Sequence, residues 1–224
     1  MVNLVLKDIL MQKKSTKDLM IAILLNFTII CILQFLGAAS VYILTPSIFA
    51  NSLITSSCGF GERNDVDRMI NSLPVSRKEI VISKYLSSFV FLIIGIAITI
   101  LFASIIKFSG LSHINRFMNL TDIIIVSIFT VVYSSVYLPI YLWLGYLKSQ
   151  LINKVLNYFI FICLTITVVI VTLIDNATAK DSLMNFVILP NFELYMVISF
   201  LCSSIILISI SIFTSLKIYI NKDL

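Results

Sequence analysis

Apolar residues run along this chain in long blocks, separated by a few short stretches where charge collects. Residues 19–57 hold no Lys, Arg, Asp, Glu or His. As one helix that block would reach roughly 58 Å, about twice the ~30 Å hydrocarbon core of a bilayer. It therefore reads as a helical hairpin over about 19–37 and 41–58, turning at Gly37-Ala-Ala-Ser40, with Pro46 placed to kink the second helix. Later apolar blocks predict spans over about 85–106, 123–146, 155–174 and 194–216. The predicted fold class is all-α, a polytopic membrane protein with six transmembrane helices. Ahead of the first block, residues 2–14 read as an interfacial helix on the membrane surface. Asn3, Lys7 and Lys14 lie close together on its helical wheel, and Val5, Leu6, Ile9 and Met11 lie mostly elsewhere. Ser15-x-x-Asp18 supplies a capping box for the helix that follows.

One polar stretch stands out. Residues 59–85 carry nine of the chain's twenty-seven Lys, Arg, Asp and Glu residues. Within it Val66, Met69, Ile70 and Leu73 recur at i, i+3, i+4 and i+7, which makes one helical face apolar. Glu62, Arg63, Asp65, Asp67, Arg68 and Asn71 take the other sides. Pro74 stops that helix, and the capping box Ser76-x-x-Glu79 starts the next at Arg77. The first two turns, to Lys84, project from the bilayer, which the helix enters at about Tyr85. Further on, 107–120 and 175–193 read as loops on one side and 148–154 as a short loop on the other. Thr121 or Asp122 is placed to cap the fourth span. The apolar patch 186–189 predicts a short helix at the membrane surface.

The run Glu62-x-x-x-x-Asp67-Arg68-x-x-Asn71-Ser-Leu-Pro-Val-Ser-Arg77-Lys-Glu-Ile-Val81-x-x-Lys84-Tyr85 resembles the signature of ABC-2 type permeases, the membrane subunits of ATP-driven exporters. It is most similar to the permeases for phenol-soluble modulin peptides and for lantibiotic self-immunity. Upstream it departs from their pattern: Gly61 stands where an acid is expected, and Val66 and Met69 lie near positions where aromatic residues are expected. The resemblance implies a cytosolic coupling helix between spans 2 and 3. That helix would dock on a separate ATPase through Glu62, Val66, Asp67, Met69, Ile70, Leu73 and Arg77. Arg77, Lys78 and Lys84 would anchor the projecting helix at headgroups or ATPase carboxylates. The implied partners are a cytosolic ABC ATPase, which holds ATP and Mg, and a second permease, identical or related. The chain itself would bind no cofactor and catalyse nothing. The implied function is export of an amphipathic peptide or peptide antibiotic. The organisation expected is one transmembrane domain over 1–224: interfacial helix 1–18, spans 1–2 over 19–58, coupling segment 59–84, spans 3–6 over 85–216 and tail 217–224.

Composition fixes the class independently. The chain is 59% hydrophobic and 12% charged, with mean hydropathy +1.07, whereas an average soluble domain carries about 25% charge. Most of its surface must face lipid. The net charge of +5 and pI near 9.0 invite a nucleic-acid partner, but the basic residues follow membrane sidedness instead. Thirteen of the sixteen Lys and Arg residues fall in the N-terminal segment, the 58–84 and 147–154 loops and the C-terminus. Only Lys107, Arg116 and Lys180 fall on the other side. By the positive-inside rule both termini are cytosolic. Abundant Lys, Ile and Asn point to an AT-rich bacterial genome, hence a multi-pass protein of a bacterial cytoplasmic membrane. No cleavable signal peptide is legible.

The chemistry is sparse. There is no GxxxxGK[ST], HExxH or GxSxG motif, and His113 is alone in a loop. Cys31, Cys58, Cys163 and Cys202 form no CxxC pair and read as packing residues, with no metal site. No ionisable residue other than Tyr or Cys lies inside the predicted spans, which argues against proton- or ion-driven transport and intramembrane catalysis. Energy for transport would have to come from elsewhere. Candidates for a substrate path are Asn26 and Gln34 on the first span and Asn51, with Ser52, Thr55 and Ser56, on the second. Tyr133, Tyr137 and Tyr141 add a stripe on the fourth. The same tyrosines would serve equally as helix packing, and Ser204, Ser211 and Ser215 read as a small-residue packing seam. The alternative function is a non-transporting membrane immunity or sensor protein that binds a toxin or partner without an ATPase.

Overall fold

The structure, a computed structural model, describes residues 2–14, 16–35, 40–63, 69, 75–110, 117–158 and 192–221. Its elements are α1 (Val2–Lys14), α2 (Thr16–Phe35), α3 (Val41–Arg63), α4 (Arg77–Phe108), α5 (Leu120–Leu144), α6 (146–158) and α7 (Phe192–Ile220). Three of these segments are long and apolar enough to cross a membrane: Arg77–Phe108, Leu120–Leu144 and Ser199–Ile220. Leu19–Phe35 is apolar but shorter. The predicted turn at residues 37–39, His113, residues 159–174 of the fifth span and the 186–189 patch lie outside the described residues.

Local sequence sets the helix ends. At α4 the Ser76 hydroxyl accepts the Glu79 N–H at 3.3 Å, and the Glu79 carboxylate accepts the Ser76 N–H at 3.2 Å. This is the predicted reciprocal box, which satisfies two amides that the helix leaves open. At α5 the cap falls on Asn119, earlier than the expected Thr121 or Asp122. Asp122 is instead the carboxylate of the first turn, accepting the Asn119 N–H at 3.0 Å.

α5 ends at Gly145, whose φ of 79° and ψ of 175° suit glycine alone and turn the chain out of the helix. A new helix, α6, begins at once. The expected loop over 147–154 is therefore helical. Lys148 and Lys154, which suggested a loop, share the exposed side of α6 with Leu151, while Ser149 is buried.

α3 is the central element, packed on α1, α2, α4 and α5, while α7 lies along α5. α3 runs through Pro46 and continues past its predicted end to Arg63. Gly95 of α4 sits where an added Cβ would come within 2.9 Å of the Pro46 carbonyl, so the absent side chain lets α3 and α4 approach closely. The core is centred on Tyr133, Tyr137, Phe49, Phe91 and Leu138, all essentially inaccessible. Outward-facing positions are hydrocarbon: Ile93, Leu101, Ile205, Ile210 and Phe213 are all more than half exposed. A surface of that kind is stable only in lipid.

Candidate functional site

Helix ends pair at two joints: the C-terminal end of α3 with the junction of α5 and α6, and the N-terminal end of α4 with the C-terminal end of α7. Glu62, in the last turn of α3, directs its carboxylate at the start of α6, where Oε2 accepts the Tyr146 backbone N–H. An anion at a helix N-terminus is favoured by the open amides and by the helix dipole. Gly145 makes the contact possible in a second way, since a Cβ there would lie 3.2 Å from Glu62 Oε1. Gly59, one turn before Glu62, leaves the space that the Tyr146 ring fills.

Arg77, the first residue of α4, donates from Nη1 to the carbonyls of Ile220 and Tyr219, at 2.7 and 3.3 Å. It thereby caps the C-terminal end of α7, where carbonyls lack intrahelical partners and a cation is favoured. Glu62 and Arg77 thus stand at the two ends of the segment that resembles a coupling helix, and each holds the end of a different helix.

Of the other predicted coupling residues, Val66, Asp67, Ile70 and Leu73 lie outside the described residues, and Met69 is exposed. Lys84, expected at headgroups or at ATPase carboxylates, is instead buried, with its ammonium 3.1 Å from Asp8 Oδ1. Lys7 reaches the same oxygen at 3.3 Å. Asp8 belongs to a face of α1 made of Leu4, Asp8, Met11 and Gln12, all buried. Leu6 and Leu10 remain on the outer face. Sequence reasoning passed over Asp8. The signal was its position at i+4 from Leu4 and i−3 from Met11, which places a carboxylate among inward apolar residues.

The candidate path residues are used in packing. Asn26 donates to the Thr45 carbonyl at 2.9 Å and Gln34 to the Ala103 carbonyl at 3.4 Å, each tying α2 to a neighbour. Asn51 is buried in α3. The rings of Tyr133, Tyr137 and Tyr141 are brought together, stacked at centroid spacings of 5.5 and 6.3 Å. Tyr133 donates to Asn153 of α6 and Tyr141 to the Cys58 carbonyl of α3. The serine seam pairs with α4: Tyr85 Oη lies 2.6 Å from Ser211 Oγ and 2.8 Å from Ser215 Oγ.

Two cavities lie beside α1, α2 and α3, the larger closed by α4 and the smaller by Tyr146 at the start of α6, next to the Glu62 joint. The larger, about 380 Å³, is walled almost wholly by apolar side chains. The smaller, about 180 Å³, is partly polar and is bordered by Ser52, Thr55 and Ser56, three of the polar residues singled out on the second span. Asn26, Gln34, Asn51 and the tyrosine stripe border neither.

A helical bundle sheathed in hydrocarbon, with several apolar helices of bilayer length, is a multi-pass membrane protein. Residues 3–220 match the family described as ABC-2 family transporter protein. The chain belongs to that family, whose members are generally the non-enzymatic membrane component and typically work with an ATPase partner. No curated protein and no solved structure matches it.

Proposed function

We propose that this chain is the permease of an ATP-driven exporter for an amphipathic peptide or peptide antibiotic. In this reading it has six spans and both termini in the cytosol of a bacterium. It pairs with a second permease and with a cytosolic ATPase that carries ATP and Mg. Family membership supports the permease role, and the similarity of the 62–85 run supports the peptide substrate. The thirteen-to-three bias in Lys and Arg supports the sidedness.

The observation that carries the coupling role is the placement of Glu62 and Arg77. A segment whose entrance is bonded to the start of α6 and whose exit is bonded to the end of α7 can pass a displacement to both helices. Residues 64–76 between them would receive that displacement from the ATPase through Val66, Asp67, Met69, Ile70 and Leu73.

Ile70→Asp tests this. A carboxylate in an apolar contact costs several kcal/mol, enough to release the partner at working concentrations. Wild type and variant are expressed at matched membrane levels with the partner ATPase, and both ATPase recovery and substrate resistance are measured. Both are expected to fall. Unchanged recovery and resistance would remove the coupling helix and favour the non-transporting immunity or sensor reading.

A further inference from the structure

The two cavities share three wall residues, Gln12, Leu19 and Leu53, and so adjoin. Their linings differ sharply. The larger is closed by Phe49, Leu53, Phe91, Ile94 and Ile98, with Met20, 61% exposed, on its rim. An apolar space of this kind holds no ordered water and takes apolar ligands. Because its rim carries a residue of the lipid-facing surface, hydrocarbon can reach it from the bilayer.

The smaller cavity offers hydrogen bonds without charge. Gln12, only 5% exposed, spends its amide nitrogen on the Leu53 carbonyl at 2.6 Å, which leaves Oε1 as a buried acceptor with no partner among the described residues. The Ser56 hydroxyl is also buried without a partner among the described residues. Ser52 and Thr55 donate to backbone carbonyls of their own helix at 2.7 and 3.1 Å, so only their lone pairs remain to a ligand. Among the described residues no Lys, Arg, Asp or Glu borders either cavity.

We infer that the two cavities form one site for a neutral amphiphile that enters sideways from the bilayer. Its alkyl or aromatic part fills the apolar cavity, and a hydrogen-bond-donating head, an amide N–H or a hydroxyl, meets Gln12 Oε1 and Ser56. A carboxylate or phosphate head is disfavoured twice. It would lose its hydration with no cation among the described lining residues to replace it, and it would present acceptors to the Gln12 Oε1 acceptor. An ammonium head would lack a carboxylate. The site rests on α1–α4 being seated in a membrane, and not on transport or on the ATPase. The same chemistry is offered by a single-chain membrane amphiphile and by an apolar peptide side chain with its backbone amide.

The test uses the full chain alone in phosphatidylcholine vesicles with two probes of equal length, each with a diazirine in the alkyl chain. One is an N-alkyl amide, the other a fatty carboxylate. Saturable labelling of Phe49 and Phe91, which are buried off the outer surface and wall the cavity, is expected from the amide probe and at least several-fold less from the carboxylate. Ile94→Trp, which fills the cavity, should abolish it. Ile93→Trp, on the lipid-facing side of the same turn, should leave it unchanged. Gln12→Leu, of similar size, should weaken the amide probe about fivefold through loss of one acceptor and leave the carboxylate probe as it was.

Equal labelling by both probes would overturn the site, as would labelling of Phe49 and Phe91 that survives Ile94→Trp in a folded variant. Competition separates the two sources. Displacement by an unlabelled amphipathic helical peptide identifies the peptide side chain, and displacement by unlabelled alkyl amide alone identifies the membrane amphiphile. Failure here leaves the permease reading standing, because no step of the test involves the ATPase.

Discussion

Lys84 and Asp8 form an ion pair of 3.1 Å with side chains only 5% and 1% exposed, joining the N-terminal helix to α4 across 76 residues of sequence. Both charges have left water, so the pair is held by mutual attraction, and each partner alone is a liability.

The first prediction follows from that balance. Asp8→Leu should destabilise the protein by about 3 kcal/mol, because it removes the carboxylate facing a buried ammonium. Lys84→Met should cost less, since Lys7 remains 3.3 Å from Asp8. The double variant should regain most of the loss, as apolar replacement of a whole buried pair often does. Thermal unfolding of the purified chain in detergent measures all three. A double variant no better than Asp8→Leu would show that the pair is not the coupled unit described.

A second prediction concerns the joint between α3 and α6. Glu62→Gln should cost about 1 kcal/mol of stability, because the amide still accepts from Tyr146 N–H but no longer opposes the dipole with a charge. Gly145→Ala should cost more, about 1–3 kcal/mol, because ψ near 175° with positive φ is reserved for glycine. Its methyl would also press on Glu62. Both variants should keep the ATPase bound while lowering transport per ATP hydrolysed. The ratio of substrate exported to phosphate released in vesicles is the deciding measurement, and an unchanged ratio in both variants would make the joint purely structural.

The tyrosine stripe gives the third prediction. Tyr137 is fully buried and stacked between Tyr133 and Tyr141. Tyr137→Ala should cost about 3–5 kcal/mol, as truncation of a buried aromatic does, and lower the yield of folded protein. Tyr137→Phe keeps the ring and should be close to neutral for stability and for substrate resistance. Loss of resistance in a stable Tyr137→Phe protein would restore the stripe to the substrate path.

What the sequence made readable was local. The Ser76–Glu79 box, the helix start at Arg77 and the serine seam follow from spacings within a few turns, where a residue's neighbours are set by helical geometry alone. The misreadings have a common cause in distant partners. Lys84 looked like a surface anchor because its counter-ion is on another helix. Lys148 and Lys154 looked like a loop because charge was taken as the boundary, whereas the boundary is the backbone turn at Gly145. Asn26 and Gln34 were identified as polar groups costly to leave in lipid, and each gives its amide nitrogen to a carbonyl of a neighbouring helix. Which neighbour satisfies each is decided by how α2, α3, α4, α5 and α6 pack, and no periodicity within one helix contains that.

The cap that Arg77 places on α7 closes a loop of 143 residues. A ribosome makes the guanidinium long before the carbonyls of Tyr219 and Ile220 exist, so this contact belongs to the final stage of biogenesis. Until then the start of α4 lacks the partner that ties it to the last span. A nascent chain interrupted before Ile220 would carry Arg77 and the segment ahead of it, yet offer the guanidinium no α7 carbonyl to hold. Completion of the last turn is what joins the first residue of α4 to the final helix.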